Sequence, residues 1–222
     1  MSDFTGKRVL VTGAAGVAGR AVATAFQAAG ATVTGVDIVE DDAPWRTLIA
    51  DLIDPYGART AVAEAGVIDV LANIAGGFTM GDDIVGTSDD TWDFMMNLNA
   101  RTALNMCRAA VPGMVDNGGG KIVNIGARGG LRGAAAMGAY IASKSVVIRL
   151  TETLADELKH KGINVNCILP SIIDTPRNRA DMPKAKFDHW VSPQAIADVV
   201  LFLASPAADA IHGAAIPVEG LS

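Results

Sequence analysis

The sequence predicts a single α/β domain spanning residues 1–222, in which a mainly parallel, doubly wound (Rossmann-type) sheet carries helices on both faces. Three observations support this. Short β-rich runs alternate with longer helical runs along the whole chain. The first β-rich run passes directly into a glycine-rich turn, Thr12-Gly13-Ala14-Ala15-Gly16-Val17-Ala18-Gly19, that opens a helical pattern. Finally, 222 residues, half of them apolar, suffice for one large core, and no repeat, low-complexity tract or second hydrophobic block marks another domain.

Taken in order, Lys7 to Thr12, Ala31 to Asp37, Thr47 to Ala50, Val67 to Ile74, Lys121 to Ile125 and Ile163 to Leu169 read as strands, each a short apolar run bounded by Gly, Asp, Asn or Pro. Between them, Val17 to Ala29, Thr91 to Asp116 and Met137 to Lys161 read as helices, the second introduced by Ser88 as N-cap and by Asp89 and Asp90 as an acidic first turn. A last helix, Pro193 to Ala204, and a final strand, Ala214 to Val218, close the chain. Strict alternation of this kind produces parallel strands, because each helix returns the chain to the same end of the sheet.

Composition excludes several classes of function. The formal charge is −6, and the 18 Lys and Arg are scattered singly, so no basic stripe suits a nucleic-acid backbone. No apolar run is long enough to span a bilayer, and Met1 to Lys7 lacks the basic and apolar regions of a signal peptide, so a cytoplasmic protein is expected. Cys107 and Cys167 sit in apolar runs without a CxxC or His neighbour and read as buried reduced thiols. His160, His189 and His212 are far apart in sequence, and no metal site is expected.

The chemistry is concentrated in two places. Tyr140-Ile141-Ala142-Ser143-Lys144 sets a phenol and an ammonium four residues apart, on one face of a helix. An ammonium beside a phenol favours the phenolate, which makes the pair a general acid and its tuner; the alternative is an ordinary solvated helix face. In the glycine-rich turn, Gly13, Gly16 and Gly19 permit a tight bend and let backbone N–H groups approach a pyrophosphate at the helix N-terminus, against the alternative of a purely structural turn. Asp37 ends the second strand 18 residues beyond Gly19. A carboxylate there accepts hydrogen bonds from ribose hydroxyls and repels a 2′-phosphate, which favours NAD(H) over NADP(H) unless Asp37 merely solubilises a strand end.

These residues, in this order, resemble the short-chain dehydrogenase/reductase family over nearly the whole chain. Asp51-Leu52 resembles the pair that flanks the adenine, Asn73-Ile74-Ala75-Gly76 the element that ends the fourth strand, and Asn99 the asparagine that completes a proton relay. Tyr140 and Lys144 match the catalytic pair, and Asn166 to Ser171 with Thr175 resembles the segment that holds the nicotinamide carboxamide. The resemblance implies catalysis by Tyr140, Lys144 and Asn99. It implies a dinucleotide held by Gly13, Ala15, Gly16, Val17, Gly19, Asp37, Asp51, Leu52, Asn73, Ala75 and Gly76, by Tyr140 and Lys144, and by Pro170, Ile173 and Thr175. In this scheme NADH supplies hydride, Tyr140 the proton, Lys144 lowers the phenol's pKa, and Asn99 holds a relay water. It further implies a homodimer or homotetramer acting on a small-molecule substrate.

Three departures bear on function. Val17 stands where the family's commoner glycine pattern has its second Gly, Ser171 replaces the Gly of a usual Pro-Gly, and Ala127, thirteen residues before Tyr140, replaces the serine that hydrogen-bonds the substrate oxygen. No serine occurs between Ile125 and Tyr140 to restore it. The missing serine, the Ala75-Gly76-Gly77-Phe78 element and the stretch from Leu169 to Trp190 resemble the dihydropteridine reductase branch, which implies reduction of quinonoid dihydropterin or a similar conjugated acceptor. Two alternatives stay open: NAD-dependent conversion of a ketone or secondary alcohol, and a non-catalytic dinucleotide-binding regulatory protein. Arg128, Arg132 and Arg179 are candidates to meet an acidic or polar substrate, against the alternative that each is an ordinary surface charge.

Overall fold

The computed structural model describes residues 3–222; Met1 and Ser2, part of the N-terminal stretch read above, lie outside the described residues. The elements follow as β1 (Arg8–Thr12), α1 (Val17–Ala28), β2 (Thr32–Asp37), β3 (Arg46–Ile49), α2 (Pro55–Ala65), β4 (Val70–Asn73), α3 (Asp89–Met95), a π-helical segment Met96–Arg101, α4 (Thr102–Asp116), β5 (Gly120–Ile125), α5 (Gly138–Leu158), β6 (Ile163–Pro170), α6 (Pro176–Asp181), α7 (Pro193–Ala204) and β7 (Ala215–Val218). All seven strands are parallel, in the order β3-β2-β1-β4-β5-β6-β7. The chain therefore winds outward from β1 to β3, returns to β4 beside β1, and winds outward again. The crevice above β1 and β4 is the topological switch point, where such sheets bind ligands.

The alternation of side chains across the sheet sets its two layers. Val9, Val11, Val33, Val123 and Ile168 face a core shared with Phe26 of α1 and Ile196 and Val200 of α7. Leu10, Val36, Leu71, Ile122 and Val165 face the other, shared with Ala58 of α2, Met106 and Met114 of α4 and Leu158 of α5. Phe26 is fully buried and meets Phe4 edge-to-face at 4.9 Å; truncating it to Ala should cost about 3–5 kcal/mol.

Several boundaries differ from the sequence reading for identifiable reasons. Val67 to Ile74 contributes strand only over Val70–Asn73, since β4 pairs with its neighbours only there. The long helix expected from Thr91 to Asp116 begins at Asp89, where Ser88 Oγ accepts the Thr91 N–H, and widens into π geometry at Met96–Arg101. Two helices beyond those expected from the sequence, α2 and α6, each carry a side-chain cap followed by Pro, Asp54 and Thr175 respectively. No helix separates β2 from β3. Instead Trp45 of the connection lies over Gly35, where a Cβ would stand 2.8 Å from the indole nitrogen. No helix among the described residues is long and apolar enough to cross a membrane.

Candidate active site

The glycine turn is shaped by contact as much as by dihedral freedom. Gly13 has φ +64°, and a Cβ there would lie 2.9 Å from Ala75 Cα; a Cβ on Gly19 would lie 2.0 Å from the Gly13 carbonyl oxygen. Only glycine lets α1 start this close to the turn and the turn this close to β4. Gly16 is the N-cap of α1, with no side chain capping the first turn and no acidic residue in it. The first-turn N–H groups thus lack a side-chain acceptor, and the helix dipole adds partial positive charge, the conditions for holding a pyrophosphate. Ala15, Gly16 and the half-exposed Val17 line this opening. The residues present fit a dinucleotide.

Around the turn, Thr12 Oγ1 accepts the Ala75 N–H at 3.0 Å and ties β1 to β4 at the crevice. The Asp37 carboxylate accepts the Ala15 N–H at 3.0 Å and the Ile38 N–H at 2.7 Å, so it stands against the turn at the end of β2. Asp51 is exposed nearby on the chain leaving β3 and accepts the Ile53 N–H at 2.9 Å. Two of the residues expected at the cofactor keep their side chains in the interior. Leu52 turns its side chain into the core under α2 and α4, while its carbonyl accepts a hydrogen bond from Asn105. Asn73 is also buried, and its amide donates to Asn124 Oδ1 at 2.9 Å and to Cys107 Sγ at 3.5 Å. Asn124 in turn donates to Thr151 of α5. Asn73 therefore braces β4 against β5 and, through Asn124, α5.

Tyr140 and Lys144 lie in the first two turns of α5. Lys144 is buried, and its ammonium donates to the Ile125 carbonyl at the end of β5, 3.0 Å away. Desolvation lowers its pKa to about 8, opposed in part by Cys167 nearby. Tyr140 packs edge-to-face with Phe78 at 4.9 Å, and burial pushes its phenol up to about 12. Burial dominates at the phenol, opposite in sign to the lowering expected from Lys144, whose ammonium is bonded to Ile125. At neutral pH Tyr140 is a protonated, shielded acid.

Asn99 sits in the π-helical segment and is buried. Its carboxamide accepts the Gly77 N–H at 2.9 Å and donates to the Gly77 carbonyl at 3.1 Å and to Ser143 Oγ at 3.1 Å; Ser143 donates to the Tyr140 carbonyl at 2.7 Å. The Asn99 side chain therefore braces the Gly77 backbone and α5. Gly76 allows Asn99 and Lys144 to converge, since a Cβ there would lie 2.7 Å from Asn99 Oδ1 and 3.1 Å from Lys144 Nζ. Sequence reasoning did not assign Thr12, Phe78 or Ser143 to the site. Ser143 lies inside the Tyr-Lys segment on the face toward Asn99, which was the one available signal.

On the substrate side, Ala127 is buried at the start of a single 3₁₀ turn, Arg128–Leu131, and its carbonyl accepts the Gly130 N–H at 2.9 Å. This turn lies against the phenol ring, as a Cβ on Gly129 would be 4.0 Å from Tyr140 Cε1. Pro170 ends β6 in the interior, and Ser171 donates to the Glu219 carbonyl at 2.8 Å. Ile173 forms a parallel bridge with Val191, and Thr175 Oγ1 accepts the Asn178 N–H to cap α6. A cavity of about 450 Å³ lies elsewhere, at the amino ends of β1 and β2, lined by Val9, Thr32, Trp45 and Arg46. It contains none of the acid–base groups described above, so the site is placed at the carboxyl ends of the strands, where Tyr140, Lys144 and the glycine turn meet.

Comparison with known proteins is consistent with this geometry. The family model described as enoyl-(acyl carrier protein) reductase matches residues 13–220. The 2-dehydro-3-deoxy-D-gluconate 5-dehydrogenase of Dickeya dadantii is 33% identical, over 98% of this chain and 96% of that protein. The 3-oxoacyl-[acyl-carrier-protein] reductase FabG of Thermotoga maritima is 32% identical, over 97% of each. Among solved structures, a putative 2-deoxy-D-gluconate 3-dehydrogenase from Agrobacterium tumefaciens with bound NADP superposes with a TM-score of 0.90 at 32% identity, covering 98% of this chain and 96% of that one.

Proposed function

The chain belongs to the short-chain dehydrogenase/reductase family of oxidoreductases, and from that premise we propose that it is an NAD(H)-dependent reductase of quinonoid dihydropterin or a similar conjugated acceptor. A bound nicotinamide supplies the hydride. The chain's own residues do the rest: the open first turn of α1 holds the pyrophosphate, Asp37 holds the ribose hydroxyls, and Tyr140 gives its proton to the reduced acceptor. Lys144, on the same face of α5, would stabilise the phenolate left behind and would bind the nicotinamide ribose. The preference for NAD(H) is supported by the Asp37 carboxylate at the turn, with the exposed apolar Ile38 next to it rather than a cation.

One observation carries the substrate reading: the buried methyl of Ala127, at the start of the 3₁₀ turn whose Gly129 lies against Tyr140. Reducing an isolated ketone concentrates charge on one oxygen, and a fixed donor at this place is worth roughly 10²–10³ in rate. A conjugated acceptor spreads the charge over its ring and loses less when the donor is missing. A second reading, conversion of a ketone or secondary alcohol, is favoured by the named activities of the Dickeya and Thermotoga relatives. The two separate in one assay, in which NADH consumption is followed with quinonoid dihydropterin and with a panel of aliphatic ketones. Faster turnover of the dihydropterin, with Ala127→Ser raising only the ketone rates, supports the first reading; efficient ketone turnover by the wild type and none of conjugated acceptors sinks it. The same proposal includes a homodimer or homotetramer in the cytoplasm, for which the exposed Trp92 and Phe94 of α3 offer apolar surface. Light scattering after gel filtration tests the assembly, and a monomer at micromolar concentration would exclude it.

A further inference from the structure

Arg128 lies in the turn against Tyr140, Arg132 follows that turn, and Arg179 lies in α6 beyond the carboxyl end of β6; Arg128 and Arg179 are held by carboxylates of the chain itself. Arg128, next to Ala127, places its Nε 2.7 Å from Glu219 Oε1. Glu219 is fixed in turn, since its carbonyl accepts from both Ser171 and Ser222. Arg179 of α6 makes a two-pronged pair with Asp174, with distances of 2.6 and 2.7 Å, and its guanidinium lies over the Phe187 ring at 4.9 Å. A forked pair of this kind is the strongest geometry by which a carboxylate engages arginine, and a substrate carboxylate would have to displace it.

We propose that Glu219 and Asp174 are specificity-determining residues, occupying Arg128 and Arg179 so that the rim favours acceptors uncharged near the reacting atom over carboxylate-bearing ones. This rests on the reductase reading given above and adds a charge criterion to it. The other cations of these loops, Arg132, Lys184 and Lys186, are exposed and lack an ion-pair partner among the described residues. Solvent screens such groups strongly, so they attract an anion weakly and without fixed geometry. Against them stand Asp82 and Asp83 of the β4–α3 connection together with Asp188, and Arg177 pairs with Asp181, so the loops as a whole carry no excess of positive charge.

The test uses paired acceptors with and without a carboxylate: quinonoid 6-methyl-dihydropterin against the 6-carboxylate, and methyl acetoacetate against acetoacetate. The wild type should show a higher kcat/KM for the uncharged member of whichever pair it reduces. Glu219→Gln and Asp174→Asn should each raise the charged-to-uncharged ratio about threefold to fivefold, the range that an exposed ion pair supports. A wild type that reduces the carboxylate member as well as the uncharged one overturns the inference, as does an unchanged ratio in both folded variants. Failure to reduce any of the four compounds with NADH counts against the reductase reading itself, which keeps the two conclusions separable.

Discussion

Replacing Lys144 by Met should separate stability from catalysis, and the structure gives the size of the effect. The ammonium is buried, and its pKa falls from 10.5 to about 8 through desolvation. That shift corresponds to about 3 kcal/mol of destabilisation at neutral pH from keeping the group charged in the interior. Methionine removes this cost and fills a similar volume, but it leaves the Ile125 carbonyl without its donor, worth about 1–3 kcal/mol. The terms nearly cancel, so at pH 7 the variant should unfold within about 2 kcal/mol of the wild type while turnover falls at least about a hundredfold. The sign with pH is fixed. The folded pKa is depressed, so the unfolded chain binds more protons between about pH 8 and 10.5, and the wild type gains stability from Lys144 as pH rises through that window. From pH 7 to 9.5 that gain is about 2 kcal/mol, and the variant lacks it. Tyr140, Cys107 and Cys167, pushed up to about 12, 12 and 11 by burial, titrate in both proteins and largely cancel in the difference. Urea unfolding of both proteins at the two pH values measures it. Parallel pH profiles would refute the claim that Lys144 is held at the expense of its solvation.

Three further outcomes are expected. Tyr140→Phe keeps the ring packed on Phe78 and removes the proton, so turnover should collapse by about a hundredfold or more while NADH still quenches protein fluorescence; a variant with most of its turnover would remove Tyr140 from the mechanism. Gly19→Ala puts a methyl 2.0 Å from the Gly13 carbonyl, so the turn must shift; NADH affinity should weaken at least about tenfold, with a stability loss of about 1–3 kcal/mol, and unchanged affinity by calorimetry would count against the turn as the pyrophosphate site. Asp37→Ala should narrow a preference for NADH over NADPH of about tenfold or more; equal affinities in the wild type, by fluorescence titration, would take Asp37 out of that role.

Much of this protein was legible in the sequence because the signals are local. Alternating apolar runs fixed the strand and helix order, since periodicity follows directly from strand and helix geometry. The glycine turn between β1 and α1 and the four-residue spacing of Tyr140 and Lys144 are likewise short-range facts, and the structure places all of them at one end of the sheet. The absence of serine before Tyr140 could also be counted directly. What only the tertiary structure decided concerns the direction and environment of side chains. Asn73 and Leu52 point into the core because of strand alternation and helix packing across long sequence distances. Asn99 is occupied by Gly77 and Ser143, partners 22 and 44 residues away, and Arg128 by Glu219 at the other end of the chain. The phenol rises and the ammonium falls because burial, which no spacing encodes, outweighs their proximity on one helix face. The sequence thus determined which groups are present and roughly where they stand, while packing determined their partners, their desolvation and hence their chemistry.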